Sequence, residues 1–280
     1  MNNKLTIDSK RAVNIQRKGT YEAPSGRTVE FKAAQRAAEA GTKLVRPSDF
    51  PEPLILPAGT PHYETKITVT SESSLEAIAR LAPRTADKEL LCLNFASAKN
   101  PGGGFLNGAQ AQEESLARAS GLYHCLLTQR DFYDFHRTQK DLLYSDHMIL
   151  SPGVPVFADD NGRLFETPLL CGILTSPAVN TRMIERNTPE KRSQIRTVMK
   201  RRTERVLWLA ASSGYKTLIL GAWGCGVFGC DPVMVAELFA EALNGPFAGC
   251  FEQVVFAVYD RSKSGATLAA FESAFLGSPT

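Results

Sequence analysis

Three consecutive glycines, Gly102-Gly103-Gly104, stand between a short apolar run and a helical one, and this order restricts the fold more than any other feature of the chain. Leu90-Leu91-Cys92-Leu93-Asn94-Phe95 has the length and apolar continuity of a buried strand. Beyond the glycines, Leu116, Ala119, Leu122, Tyr123, Leu126 and Leu127 recur at helical spacing and predict a single helix. A strand therefore delivers a glycine loop, and the loop delivers Gln112-Glu113-Glu114 to a helix start. Glycines remove every side chain that would keep a ligand off the backbone, and they permit positive φ. Backbone amides exposed in this way suit a phosphate or diphosphate. Acids beside such a cradle point to chemistry on a nucleotide-like molecule.

From Lys66 onward the same alternation continues. Ile67-Thr68-Val69-Thr70 reads as a strand and residues 71–82 as a helix with a capping-type start at Ser73 or Ser74. Met148-Ile149-Leu150 and Val154-Pro155-Val156-Phe157 are apolar, and the proline predicts an edge position for the second. Leu169 to Leu174, Leu218 to Leu220 and Val254 to Val258 are further strands. Thr188-Pro189-Glu190 predicts a long helix with Thr188 as its N-cap, and Asp231-Pro232 predicts another. Continuous apolar strands separated by helices imply an α/β fold in three layers, α/β/α, around a largely buried sheet. Ligands in such folds sit at the carboxyl ends of the strands.

A second glycine-rich loop lies at such an end. Gly221-Ala222-Trp223-Gly224-Cys225-Gly226-Val227-Phe228-Gly229-Cys230 joins the Leu220 strand to the helix at Asp231. One such loop could be a tight turn; two, each after a buried strand, indicate a ligand gripped from both sides. Neither fits G-x-x-x-x-G-K-[ST], which argues against ordinary nucleoside triphosphate hydrolysis. Gly224, Gly226 and Gly229 nominally fit G-x-G-x-x-G, but no acidic residue ends a following strand about 20 residues later. Cys225 as a nucleophile would want a histidine base, and His62, His124, His136 and His147 form no local pattern with it. Zinc chemistry lacks both C-x-x-C and H-E-x-x-H. Phe228, at a loop tip between Gly226 and Gly229, is placed to pack against a sugar or base.

Acids in a first helical turn are favoured by the helix dipole alone. A Gln-Glu-Glu triplet directly after a triple glycine is a narrower pattern. Adjacent residues point in different directions, so Glu113 and Glu114 are not two acids facing each other across a sugar. One reaches the ligand and the other orients it.

Residues 1–60 read as an accessory segment packed on a main domain of residues 61–280: residues 27–40 are alanine-rich, and five prolines between Pro47 and Pro61 punctuate the connection. A net charge of +3 is too small for a nucleic-acid-binding stripe, and the Lys191–Arg205 basic cluster reads as the solvated face of a helix. Six scattered cysteines read as reduced thiols; with no apolar signal segment or membrane-length run, a cytoplasmic protein is expected.

The run from Leu93 through Asn100-Pro101-Gly102-Gly103-Gly104 to Gln112-Glu113-Glu114 resembles the signature of bacterial-type poly(ADP-ribose) glycohydrolases, which have a macrodomain fold. Gly224-Cys225-Gly226-Val227-Phe228-Gly229 resembles the macrodomain diphosphate loop, and Phe256 to Asp260 the last core strand. The resemblance covers roughly residues 60 to 265. It implies a macrodomain-like mixed sheet and hydrolysis of ribose–ribose O-glycosidic bonds, with poly(ADP-ribose) or an ADP-ribosylated protein as substrate and ADP-ribose as product. No cofactor or metal, membrane or nucleic acid is implied, and a monomer is expected. Carried onto this chain, the resemblance makes Glu114 the catalytic acid and Glu113 the residue that holds the ribose. Gly102, Gly103, Gly104 and Gln112 would line one side of the ligand, and Gly224, Gly226, Val227, Phe228 and Gly229 the other. Asn100 would contact a ribose hydroxyl. Glu114 would be protonated when substrate binds, favoured by apolar surroundings and by the carboxylate of Glu113. A module that binds ADP-ribose without cleaving it, or a hydrolase acting on another acceptor, are the alternatives.

Overall fold

The alternation written in the sequence becomes helix and strand in turn. The computed structural model describes residues 3–86 and 89–276, so the outer ends of the two expected segments, residues 1–2 and 277–280, lie outside it. The first stretch holds α1 (Asn3–Lys18), a hairpin of β1 (Thr20–Glu22) and β2 (Thr28–Glu30), α2 (Lys32–Gly41) and β3 (Lys43–Val45). Then come β4 (Lys66–Thr70), α3 (Ser74–Leu81), β5 (Leu90–Phe95), α4 (Gln112–Ala119), α5 (Leu122–Leu127) and α6 (Arg130–Thr138). The long β6 (Met148–Ala158) and β7 (Leu164–Ser176) follow, with α7 (Thr181–Asn187) and α8 (Ile195–Ser212) after them. β8 (Thr217–Leu220), α9 (Pro232–Asn244), β9 (Gln253–Ala257) and α10 (Ala266–Leu276) complete the fold.

Seven strands form one mixed sheet in the order β3-β6-β7-β5-β8-β9-β4. The five from β7 to β4 run parallel, while β6 is antiparallel to β7 and β3 to β6. Side chains alternate across the sheet, so β5 sends Leu91 and Leu93 into the core under α8, α9 and α10, and Leu90 and Cys92 into the core under α3, α4 and α6. The layers are therefore α/β/α, and the sheet is buried on both faces. β3, from the segment expected to be accessory, is an edge strand of this sheet, with Lys43 opposite Leu150 and Val45 opposite Met148.

Local sequence accounts for some helix starts. Ser73 caps α3 in a reciprocal pair with Glu76, and Asp231 caps α9 by accepting from Val233 N at 3.0 Å. Four expectations are corrected. The single helix expected over residues 114–127 is two, because Ser120 is extended and bridges Val156 while Gly121 N donates to Pro155 O at 2.8 Å. Thr188 does not cap α8: its side chain makes no capping bond, and Pro189–Gln194 winds as a 3-10 helix before α8 begins at Ile195. The two apolar stretches at 148–157 are one strand, interrupted by a register shift between Ser151 and Val154. Pro155 nevertheless lies where β3 no longer covers β6, so its missing N–H interrupts no ladder. Finally, the basic cluster of α8 is not wholly solvated. Arg202 and Arg205 are buried on Asp146, and Arg202 also donates to Pro177 O at 2.7 Å and Leu143 O at 2.9 Å. Arg196 and Lys200 stay exposed and pair with Glu237 and Glu241 on α9.

Candidate active site

The carboxyl ends of β5, β8 and β9 open into a cleft of about 820 Å³. The loop after β5 forms one wall, the loop after β8 the facing wall, and Tyr259, Asp260 and Arg261 after β9 continue the lining. Ser73 and Glu76, at the start of α3, and Asp160, at the turn between β6 and β7, lie along it too.

The Gln-Glu-Glu triplet is tied to the glycine loop through all three side chains. Gln112 Nε2 donates to Leu93 O at 2.7 Å and to Ser74 Oγ at 3.0 Å, and its Oε1 accepts from Phe95 N at 2.9 Å. Glu113 Oε2 accepts from Ser97 N at 2.7 Å, and its Oε1 accepts from Asn94 Nδ2 at 3.3 Å. Glu114 Oε1 accepts from Gly104 N at 2.9 Å. The first turn of α4 thus grips the backbone at Leu93, Phe95, Ser97 and Gly104 in succession. This explains why the acids follow the glycines at a fixed interval: the loop must close back onto its own helix.

Between the acids lies Gly103, at φ +61°. Its bare α-carbon is turned toward both carboxylates, where an added Cβ would displace the Glu114 carboxyl. Ser97 stabilises the entry to the turn, with its Oγ accepting from Lys99 N at 3.3 Å and Asn100 N at 3.2 Å.

The two glutamates differ in surroundings. Glu113 is 3% exposed, and its carboxyl is pushed up to about 8, first by burial, against the lowering effect of the Ser97 N–H, and then by the nearby negative charge of Glu114. The expectation had assigned the buried, proton-holding role to Glu114; the fold assigns the burial to Glu113, because its side chain turns inward to Asn94. Glu114 remains part-exposed on the cleft wall.

The other expected residues divide between the wall and its support. Asn100, Gly103 and Gly104 line the cleft with the glutamates, and Gly224, Gly226, Val227 and Phe228 face them. Val227 is 71% exposed, while Phe228 is part-buried with its ring 6.0 Å from that of Tyr144. Gly102 and Gly229 stand behind the wall, Gly102 against Phe105 and Ala117 and Gly229 against Arg182. Gln112 reaches the lining, but its amide is engaged inside the protein. Trp223 anchors the facing loop from below, fully buried, with Nε1 donating to Ser176 O at 3.0 Å. Cys225 faces the cleft with its thiol pushed up by burial and, among the described residues, has no hydrogen bond to a histidine.

Asn94 belongs to the site, although no motif marks it. It is fully buried and bonds both Glu113 and Thr175 Oγ1, at 3.1 Å for the latter. The signal was present: an amide inside an apolar strand has to find a buried partner.

A mixed sheet whose cleft sets a glycine-held glutamate pair against a second glycine-rich loop has the architecture that the resemblance to glycohydrolases of the ADP-ribose class implies. Residues 9–159 match the family described as the microbial-type PARG catalytic domain, PARG being poly(ADP-ribose) glycohydrolase. The chain belongs to that family. Among solved structures it is similar to the poly(ADP-ribose) glycohydrolase of Thermomonospora curvata, at 48% identity over 98% of this chain and 100% of that one, with a TM-score of 0.93. The same enzyme bound to the inhibitor ADP-HPD matches at 47% identity, with coverage of 98% and 100% and a TM-score of 0.90. The poly(ADP-ribose) glycohydrolase of Deinococcus radiodurans in complex with ADP-ribose matches at 40% identity over 88% of this chain and 98% of that one, with a TM-score of 0.80. No curated protein sequence matches the chain. Among the described residues no helix is long and apolar enough to cross a membrane.

Proposed function

We propose that Glu114 is the general acid and base of this enzyme and that Glu113 orients the ribose whose bond is cleaved. The reaction is that of the family: hydrolysis of the ribose–ribose O-glycosidic bond of poly(ADP-ribose), with ADP-ribose as product. Such a bond breaks through an oxocarbenium-like transition state, and the departing ribose oxygen needs a proton. Glu114 supplies it, then takes a proton from the attacking water, and the ligand's diphosphate stabilises the cation.

The observation that carries this reading is the bond from Gly104 N to Glu114 Oε1, which points a part-exposed carboxyl into the cleft and leaves Oε2 for the substrate. The loop of Gly224, Gly226, Val227 and Phe228 supports placing the diphosphate opposite, with Phe228 against the ribose; Asn100 stands on the glutamate side for a ribose hydroxyl. Both walls come from one chain, which suits a monomer, and six free cysteines suit a reducing cytoplasmic compartment.

A specific observation favours a second reading, with Glu113 as the acid, because a carboxyl titrating at about 8 holds its proton at neutral pH. Against it, both Glu113 oxygens are already engaged by Asn94 and Ser97. Labelled polymer separates the two readings. Glu114→Gln should bind ADP-ribose and cut turnover by roughly a hundredfold or more, the scale of general-acid loss. Full turnover in Glu114→Gln, with loss in Glu113→Gln alone, would assign the acid to Glu113.

A further inference from the structure

Three buried polar side chains from α1 and α2 direct their long-range hydrogen bonds to one stretch, residues 105–124, which carries the Gln-Glu-Glu triplet. Ser9 is 0% exposed, and Gln16 and Gln35 are each 2% exposed. The single Ser9 hydroxyl donor reaches Phe105 O at 2.6 Å, just after the glycines, with Leu5 O in its own helix as a competing acceptor at 2.8 Å. Gln16 Nε2 donates to Ala117 O at 3.2 Å, and its Oε1 accepts from His124 N at 3.3 Å. Gln35 Nε2 donates to Gly121 O at 3.0 Å.

Two of the bonded groups are ones the helices leave open. Ala117 O lies in the last turn of α4 and His124 N in the first turn of α5, where intrahelical partners run out. Gln16 therefore splices the two helices with one amide. Gly121 allows Gln35 to approach, since a Cβ there would meet Gln35 Oε1 at 1.7 Å. Ser9 and Gln16 are two helical turns apart, about 10 Å, close to the length of α4. α4 needs such support. It has eight residues and no side-chain N-cap at Ala111, and a helix this short owes its position to packing.

We propose that Ser9, Gln16 and Gln35 are positioning residues, and that α1 and α2 act as a splint holding Glu113 and Glu114 in register with the glycine loop. The proposal rests on the catalytic reading of the glutamates given above.

The test measures kcat, KM, ADP-ribose Kd and Tm for Gln16→Met, Ser9→Ala and Ser9→Thr in the full chain. Gln16→Met and Ser9→Ala should each lower kcat by about tenfold, within the range expected of a sub-ångström to ångström misplacement, at a temperature well below their Tm. ADP-ribose Kd should stay near that of the parent, because the facing loop is untouched, and Ser9→Thr should restore kcat by keeping the hydroxyl. Unchanged kcat with only a lowered Tm overturns the proposal, as does a loss of kcat that Ser9→Thr does not rescue. If Gln16→Met does not fold, the two Ser9 variants decide alone. Glu114→Gln run in parallel keeps the readings apart: full turnover there overturns the catalytic assignment, whatever the splint variants do.

Discussion

Gly103 leaves Glu114 its place: a Cβ on Gly103 would stand 2.3 Å from Glu114 Oε1 and 3.0 Å from Glu113 Oε2. At φ +61° the backbone also disfavours any L side chain, by about 1–2 kcal/mol. Gly103→Ala should therefore fold with a modestly lowered Tm yet lose turnover by about tenfold or more, the range expected when a reacting group is displaced. Steady-state kinetics beside a thermal melt checks this, and parent-like kcat would show that the close approach is unimportant.

Gly226, on the facing wall, makes the opposite case. A Cβ there meets nothing within 4 Å, and its φ is not in the left-handed region. Gly226→Ala should leave Tm unchanged while raising KM by about tenfold, the scale of one methyl group intruding on a bound ligand. An unaltered KM would mean that the ligand does not press on this backbone.

Glu113 makes stability depend on pH. Its carboxyl titrates at about 8 in the folded protein against an ordinary value of 4.5. Between those values the folded state holds a proton that the unfolded state has released, so stability falls as pH rises through the window and levels off outside it. Glu113→Gln lacks this titration. Although it has a fixed cost because an amide has one acceptor for the two donors Asn94 and Ser97, its deficit should shrink from pH 5 to pH 8. Urea melts at several pH values measure this; a constant difference would refute the burial argument.

Gln112 should behave as a support of the site. Gln112→Ala strips partners from Leu93 O and Phe95 N and should lower stability by about 1–3 kcal/mol, the cost of leaving such groups unpaired. Urea midpoints read this directly, while a large rise in KM at parent stability would return Gln112 to ligand contact.

Much of this architecture is legible in the sequence where one local rule decides. Apolar continuity marks β5, β8 and β9, and Ser73 with Glu76 announces α3. α1 carries little sequence signal because its surface is mostly polar, with Ala12 and Ile15 among its few buried apolar residues. The break at Ser120 was hidden because apolar spacing runs on through it; what stops the helix is a bridge to Val156, distant in sequence. The glutamates were visible as a pair, but not which one turns inward. That depends on Asn94 pointing to the α4 side of the sheet, a matter of strand register.

The proton held by Glu113 also bears on how the ligand arrives. A carboxyl titrating at about 8 is mostly uncharged at pH 7, so the adjacent acids meet an incoming diphosphate with less repulsion than two carboxylates would exert. Raising the pH past that value restores the second charge behind the cleft wall and makes the cleft more hostile to anions. Capture of ADP-ribose should therefore weaken on the alkaline side even in Glu114→Gln, where no bond is cut, and added salt should soften the effect by screening.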